Sequence, residues 1–511
     1  MAGTDGLDWR LDIGRTRSLD IVGMPLLEHY VTTFDPKLLD GIDILYINHL
    51  ISDSLMVARG LVRLGARLTT ITIPYGGIHG PVQHAVHQGF KHLGPTFLPR
   101  VSHPAEFPAA MAVAVRRAIA QLIGGLPASG GWMIVEDGGY AFPVLHDDPA
   151  LQAHLATCLG AVEHTTRGKL NYQYQETDAT PQRPRHLRRP AVTIAGSQLK
   201  TTHEGGFVAQ ALVDECGVLL RKDHQFLRHR RAVVVGHGRI GRALARALAA
   251  VDAEVAVVDP NTTAAEVAYP VTTLAEALDR GVFLVFGATG IPSMTPAELS
   301  VFLSEQDTGH DTLYLASASS KQIEYSQLIA FFQQTRANPA LLREVAGHPG
   351  RVLCELDPGV GLRYRVEFDN GKVKTVVLLG CGYPVLFFPP DTHGAPNRAM
   401  DPVMTQLLLA ACGLPSGHTS LDNRVYTVED LRGLGRATTA AAAQMPTPWQ
   451  ELTDEAGLLV RWCQLNRLDP DRYLDRIGFT RPDDRRAKPS SAAPPTPVAI
   501  AAGAGGGGRR G

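Results

Sequence analysis

The chain has 511 residues, which at about 100–200 residues per domain suggests two or three domains. It is 44% hydrophobic and 19% charged, and 49 basic against 50 acidic residues leave a formal net charge of −1, so no basic surplus points to nucleic acid or an anionic membrane. No apolar run approaches the ~18 residues that span a bilayer, and residues 1–20 lack the apolar core of a signal peptide, so the expected location is the cytoplasm.

The first two hundred residues alternate strand-like and helix-like segments. Residues 42–47 read as a buried strand. Residues 54–64 read as a helix, with Leu55, Val57, Ala58, Leu61 and Val62 on one face. Strands are expected at 68–73, 132–135 and 191–194, and a strongly apolar helix at 107–123. This rhythm implies a parallel sheet flanked by helices. The polar, Pro-containing stretch 175–190 reads as a surface loop, and 206–229 as one long helix. Further strands are expected at 232–235, 255–258, 283–286 and 312–315. The runs within 362–379 are joined by Asn370-Gly371, a dipeptide that favours a two-residue hairpin turn. Residues 401–411 are again helical. The Ala/Pro/Gly-rich stretch 487–511 lacks apolar periodicity and reads as a disordered tail.

Six cysteines are spread over three hundred residues without a CxxC pair, and 19 histidines show no HExxH spacing, so neither a disulfide framework nor a metal site is expected. One motif carries chemistry. Gly236-His237-Gly238-Arg239-Ile240-Gly241 follows an apolar run and opens a helical stretch, 239–250; a second apolar run then ends in Asp259. Gly236 permits a tight turn, Gly238 lets the backbone approach a diphosphate, and Gly241 allows helix and strand to pack closely. Arg239 and Ile240 open the helix, whose unpaired N–H groups suit a diphosphate. Asp259 stands near the ~20-residue distance expected of an acid that binds a ribose 2′-hydroxyl, which favours NAD over NADP.

Several segments in sequence order carry a resemblance. They are residues 44–66 with His49; Met133-Ile134-Val135-Glu136-Asp137-Gly138-Gly139; Gly160-Ala161-Val162-Glu163-His164-Thr165-Thr166-Arg167-Gly168; residues 190–205 with Lys200 and Glu204; the glycine motif with Asp259; and Ala288-Thr289-Gly290. Together, over residues 24–412, they resemble the S-adenosylhomocysteine hydrolase family. The resemblance implies two doubly wound parallel-sheet α/β domains with a cleft between them. A substrate-binding domain would span 1–205, completed by about 376–425; a Rossmann NAD-binding domain 206–375; and a helical extension 426–486 would precede the tail. It also implies a homo-oligomer that takes a small-molecule nucleoside.

The resemblance assigns the site as follows. Lys200 is the base at a ribose 3′-oxygen, since apolar segments and a positive nicotinamide both disfavour an ammonium. Glu204, on the position of the family's aspartate, binds ribose hydroxyls or takes a proton. Asp137, at a strand end, is the acid near C4′ and C5′, and His49 delivers protons at the 5′ leaving group, imidazole being a group that changes charge near neutral pH. Thr165, Thr166, Thr289 and Gly290 face the cofactor; Asp53, Glu163 and His393 contact substrate. The chain also departs from the family. His164 replaces a glutamate and joins the catalytic candidates as a proton relay or a filler. Ala195 and Gly205 replace asparagines, Ser319 or Ser320 falls on a histidine, Leu386 on an asparagine, and Ile51 and Asp53 replace the threonine and glutamate that face the purine. The C-terminal Lys and Tyr that reach a neighbouring protomer's cofactor have no clear equivalent. The combination fits NAD-dependent 3′-oxidation and 4′,5′-elimination in specialised nucleoside metabolism, with a 5′-hydroxyl lost as water. Hydrolysis of S-adenosylhomocysteine and a catalytically silent NAD- or nucleoside-binding regulator are the alternatives.

Overall fold

A computed structural model describes residues 19–75, 83–126, 130–175, 183–263, 265, 267–304, 311–319, 321–388, 394–437 and 445–481. His393, Ser320 and the expected tail at 487–511 lie outside the described residues.

Two seven-stranded sheets organise the chain. The first contains β1 Ile42–His49, β2 Arg67–Ile73, β3 Thr96–Phe97, β4 Gly131–Glu136, β5 Cys158–Glu163, β6 Ala191–Thr193 and β14 Val425–Thr427, in the order β14-β6-β5-β4-β1-β2-β3. All its pairings are parallel. Read from β3, the sequence is 3-2-1-4-5-6, the doubly wound order, which reverses between β1 and β4. Ligands of such sheets bind at the carboxyl ends beside that reversal, and there β1 ends in His49 while Asp137 follows β4. The central strands are buried on both faces, which fits their largely apolar sequences.

The second sheet runs β11-β12-β13-β10-β9-β7-β8, with β7 Arg231–Val235, β8 Glu254–Val258, β9 Leu284–Gly287, β10 Thr312–Ser317, β11 Gly350–Asp357, β12 Gly361–Phe368 and β13 Val373–Leu379. Its β8-β7-β9-β10-β13 part is parallel and its β13-β12-β11 edge antiparallel. Order reverses between β7 and β9, which places the glycine motif at the carboxyl-end crevice.

The helices used below are α1 Pro25–Thr33, α2 Ser52–Arg63, α3 Phe107–Gly124, α4 Gly205–Lys222, α5 Arg239–Ala250, α6 Asn397–Gly417, α7 Thr447–Thr453, α8 Glu455–Leu465 and α9 Pro470–Ile477. Helix α3 with the turn before it, Pro104–Gly124, is long and apolar enough to cross a membrane by length and composition, although Arg116 and Arg117 interrupt its apolar run. Its Phe107, Met111, Val115, Ile119 and Leu122 are buried against the first sheet. Helix α6 is buried along nearly its whole length and packs on α1, α2 and α7. A Cβ on Gly413 or Gly417 would come within 2.2 or 2.3 Å of the Trp449 ring, so these two glycines create the slot for that indole. The C-terminal helices thereby join the core of the first sheet, and β14 extends that sheet.

Three local expectations change. The helix expected over 206–229 stops at Lys222, because His224 and His229 adopt a left-handed backbone (φ 58°). It is preceded by a π-helical turn, Leu199–Glu204, that no periodicity announced. The hairpin at Asn370-Gly371 is a three-residue loop: Gly371 N–H donates to Phe368 O (2.9 Å), Phe368 N–H to Lys372 O (2.9 Å), and Gly371 alone of the pair takes positive φ (+85°). In the stretch 175–190, residues 176–182 lie outside the described residues; Arg183, Pro184, His186 and Arg188 are exposed as expected, while Arg185 and Leu187 between them are buried.

Filling the Trp449 slot tests the anchoring of the C-terminal helices. Gly413→Ala should destabilise the fold by roughly 1–3 kcal/mol, the usual cost of overpacking, read by urea denaturation; an unchanged midpoint would show that the slot yields.

Candidate active site

The glycine loop is built as a dinucleotide cradle. Gly236 donates its N–H to Val258 O (2.8 Å) and has φ +94°; a Cβ there would sit 2.8 Å from Ala288 O. A Cβ on Gly241 would fall 1.8 Å from Gly236 O, so the helix start can approach the turn only because residue 241 has no side chain. Around Gly238 nothing lies within 4 Å of the added Cβ, which leaves the backbone open on the side a diphosphate needs. Asp259 follows β8, with Oδ2 accepting from His237 N–H (2.6 Å) and Oδ1 from Asn261 N–H (2.8 Å). These residues fit NAD.

Sequence reasoning missed the acid that shapes the other cofactor-facing turn. Glu324 is fully buried and accepts from Thr289 N–H (2.9 Å), Gly290 N–H (2.8 Å) and the Thr289 (2.8 Å), Ser293 and Ser319 hydroxyls. Thr289 Oγ1 is thus committed within the turn and not free for a nicotinamide amide as expected. Thr165 is similar: its hydroxyl donates to Glu163 Oε1 (2.7 Å) and accepts from Gly168 N–H (3.1 Å). No motif marks Glu324; a lone acid two residues past Gln322 carries no spacing signal.

The carboxyl ends of β1, β4 and β5 bring the catalytic candidates together. Asp137 Oδ1 lies 3.5 Å from His49 Nε2, and Oδ2 2.8 Å from His164 Nδ1. His164 Nε2 is 3.2 Å from Lys200 Nζ, which donates to Glu204 Oε1 at 2.7 Å. Burial alone would raise the Asp137 carboxyl, but the His49 and His164 imidazoles outweigh it and hold the group well below the usual carboxylate range. Its two oxygens face one imidazole each, which places Asp137 to orient both rings. An ammonium can only donate, so His164 accepts at Nε2 and carries its proton on Nδ1 toward Asp137. His49 likewise directs Nε2 at the carboxylate, and its buried Nδ1 has no hydrogen-bond partner among the described residues. The ring stacks on Phe387, centroids 3.6 Å apart. The π-helical turn sets Lys200 and Glu204 side by side; such turns recur at functional sites.

Glu163 was expected to bind substrate. It is fully buried, and its oxygens accept from Gly138 N–H (3.0 Å), Gly139 N–H (2.9 Å) and Thr165 N–H (2.7 Å). Burial, with Glu136 and Asp137 nearby, pushes its carboxyl well up. It shapes the loop and does not reach the cleft. Asp53, the second residue of α2, does line the cleft. Its Oδ1 accepts from Ser54 N–H (2.5 Å), and burial raises its carboxyl to about 6.

Two adjoining cavities meet at the lysine. A cleft of about 150 Å³ is lined by His49, Asp53, Asp137, His164, Lys200 and Glu204, with Ile51, Leu386, Met400 and Met404 as its apolar wall. A second cavity of about 350 Å³ is lined by Thr165, Thr166, Lys200, Glu204, Arg239, Ile240, Thr289 and Gly290. Lys200, Glu204, Thr165, Ile240 and Ala318 line both. Among the described residues, no three His, Cys, Asp or Glu side chains cluster as a metal site.

Comparison with known proteins agrees with the cofactor cradle. Residues 217–292 match the NAD binding domain of the D-isomer specific 2-hydroxyacid dehydrogenase family. An adenosylhomocysteinase of Aeropyrum pernix is 25% identical over 306 residues, which cover 59% of this chain and 64% of that relative's length, just under two thirds of it. Among solved structures, a 2-hydroxyacid dehydrogenase from Ketogulonicigenium vulgare aligns with TM-score 0.30 and 12% identity over 75% of this chain and 97% of its own. D-lactate dehydrogenase from Aquifex aeolicus aligns with TM-score 0.32 and 12% identity over 58% and 88%. The chain is a two-sheet α/β protein with a dehydrogenase-like NAD-binding domain, and its cofactor is NAD.

Two measurements follow from the geometry. Asp259→Ser should weaken NAD binding roughly tenfold, the loss of one charge-assisted hydrogen bond, and shift the NAD/NADP ratio of affinities toward NADP in a fluorescence titration; an unchanged ratio would remove Asp259 from the ribose site. Asp53 titrates at about 6 folded against 3.8 as an ordinary carboxyl. The folded state prefers its protonated form, so the stability Asp53 carries is present below about 4 and lost as pH rises through about 6. Asp53→Asn should remove that loss and gain on the order of 2–3 kcal/mol over the parent across this window. Parallel pH–stability curves for the two proteins would contradict the burial of a charge at this position.

Proposed function

We propose that this protein is an NAD-dependent enzyme that transiently oxidises a ribose 3′-hydroxyl and eliminates across C4′–C5′ of an adenosine-like nucleoside, losing a 5′-hydroxyl as water. The observation that carries this reading is the placement of Lys200 on the wall shared by the cleft that His49, Asp53 and Asp137 line and the cavity that Arg239 and Gly290 line. The adenosylhomocysteinase relative adds weight to a nucleoside as substrate.

Lys200 stands where it can take the 3′-hydroxyl proton once its own excess proton has passed to His164 Nε2, 3.2 Å away. NAD held on the glycine loop by Gly236, Gly238, Gly241 and Asp259 would supply the two-electron acceptor for the 3′ carbon and the donor that restores the alcohol. The resulting 3′-ketone acidifies the C4′–H bond. His49 Nδ1, buried and without a hydrogen-bond partner among the described residues, is the base for that proton, with Nε2–H held by Asp137. The same imidazole then gives its Nδ1 proton to the 5′-oxygen. The C4′–H and C5′–O bonds break, the 4′,5′ double bond forms, water leaves, and no external proton is consumed. Lys200 returns its proton to the 3′-oxygen as the alcohol re-forms. Glu204 holds the ammonium and meets a ribose hydroxyl. Hydrolysis of S-adenosylhomocysteine is the second reading, favoured by the name of the relative.

The NAD-loaded protein should convert one member of a 5′-hydroxyl nucleoside panel to a product lighter by one water in mass spectrometry, with solvent deuterium at C4′ of recovered substrate. Lys200→Met and His49→Ala should each lower the rate by about 10²–10⁴. Release of a thiol from S-adenosylhomocysteine without water loss from any nucleoside would select hydrolysis, and no deuterium incorporation at all would sink both.

A further inference from the structure

We infer that the C-terminal helices α8 and α9 are a working part of the site, because Glu455 and Tyr473 are positioning residues that fix the turn bearing Lys200. The inference rests on the reading of Lys200 given above. A π-helical turn is wider than an α-helix and rarely holds itself, so the grip on Leu199–Glu204 must come from outside it. Polar contacts on either side of the lysine supply that grip, besides the Ser197 hydroxyl that accepts from Lys200 N–H at 3.2 Å. Ahead of it, Leu199 N–H donates to Glu455 Oε1 at 3.0 Å. Glu455 is buried, and its second oxygen pairs with Arg432 at 2.7 Å. The guanidinium is itself held by Thr453 O at 3.1 and 2.9 Å. Behind the lysine, His203 donates from Nε2 to Ala399 O (2.7 Å) and accepts at Nδ1 from the Tyr473 hydroxyl (2.8 Å).

The chemistry of the two grips differs in a useful way. Glu455 Oε1 accepts from Gln406 Nε2 (3.4 Å) as well as from Leu199 N–H, and the carboxylate is buried beside a guanidinium. The Arg432 partner makes that charge tolerable and fixes its direction. At His203 both ring nitrogens are used, so its tautomer and orientation are set, and Trp462 of α8 closes on the ring edge with centroids 4.8 Å apart. Lys200 and Glu204 each follow a gripped residue directly. A small rotation of the turn would carry the ammonium off the wall shared by the two cavities.

The test uses the full-length protein. Glu455→Ala and Tyr473→Phe should each lower kcat roughly 10- to 100-fold, the effect of misplacing a reacting group by about 1 Å, with KM and NAD affinity unchanged. Glu455→Gln, which keeps an oxygen for Leu199 N–H, should recover most of the rate. Amide hydrogen exchange supplies a readout that needs no substrate. Exchange over 199–204 should accelerate in Glu455→Ala and Tyr473→Phe while β1 and β7 stay protected. Accelerated exchange with no nucleoside turned over by the parent would uphold the clamp and remove the proposed reaction. Unchanged exchange over 199–204, or a kcat loss that Glu455→Gln does not rescue, would overturn the clamp. Should Glu455→Ala fail to fold, Tyr473→Phe alone decides by the same two readouts.

Discussion

One carboxylate shared between two imidazoles sets the character of this site. Asp137 follows β4 at the sheet's reversal point, where its oxygens face His49 from β1 and His164 from the end of β5. Burying a lone carboxylate would be costly. The two rings offset that cost, and in return the carboxylate fixes which nitrogen of each ring carries its proton. His49 is left with a bare Nδ1 and His164 with a bare Nε2 that meets Lys200. The direction of the whole row, from Glu204 through Lys200 and His164 to His49, follows from that one group.

Other buried acids serve the site without doing chemistry. Parallel strands end in loops whose N–H groups have no ladder partner. Glu136 collects those of Tyr140, Ala141 and Phe142; Glu163 those of Gly138, Gly139 and Thr165; Glu324 those of Thr289 and Gly290. Thr165, held by Glu163, and Thr289 and Gly290, held by Glu324, line the cavities. Rigid loops at both reversal points result, and the two cavities keep their shape between them.

Strands buried on both faces are legible in sequence because they are short, largely apolar runs, and the glycine motif is legible because each of its three glycines answers a separate steric demand. Lys200, His164, Asp137 and His49 were picked out singly, and the structure gathers them into one row. What stayed hidden depends on contacts remote in sequence. Glu163 looked like a site residue because it stands in a motif, yet its oxygens are spent on backbone. Glu324 stands in no motif and shapes a cofactor-facing turn. The π-helical turn has no periodic signature, since its stability comes from Glu455 and Tyr473, more than 250 residues away along the chain. Hairpin geometry at Asn370-Gly371 was misjudged because the same dipeptide serves two-residue and three-residue loops.

The row of side chains bears on which 5′ group can leave under the proposed elimination. A thiolate departs readily, its conjugate acid having a pKa of about 8.5, whereas hydroxide, the conjugate base of water at about 15.7, needs a proton as the carbon–oxygen bond breaks. An enzyme specialised for thiol loss can dispense with a strong local acid; one that expels water cannot. Asp137 is turned toward two imidazoles, so under the proposed reaction the task falls to one of them. His164 stands between that carboxylate and Lys200, and an imidazole there can pass a proton in either sense. Under the proposed reaction the row therefore suits a leaving group that must be protonated as its bond breaks, and that is the ground for placing water ahead of a thiol.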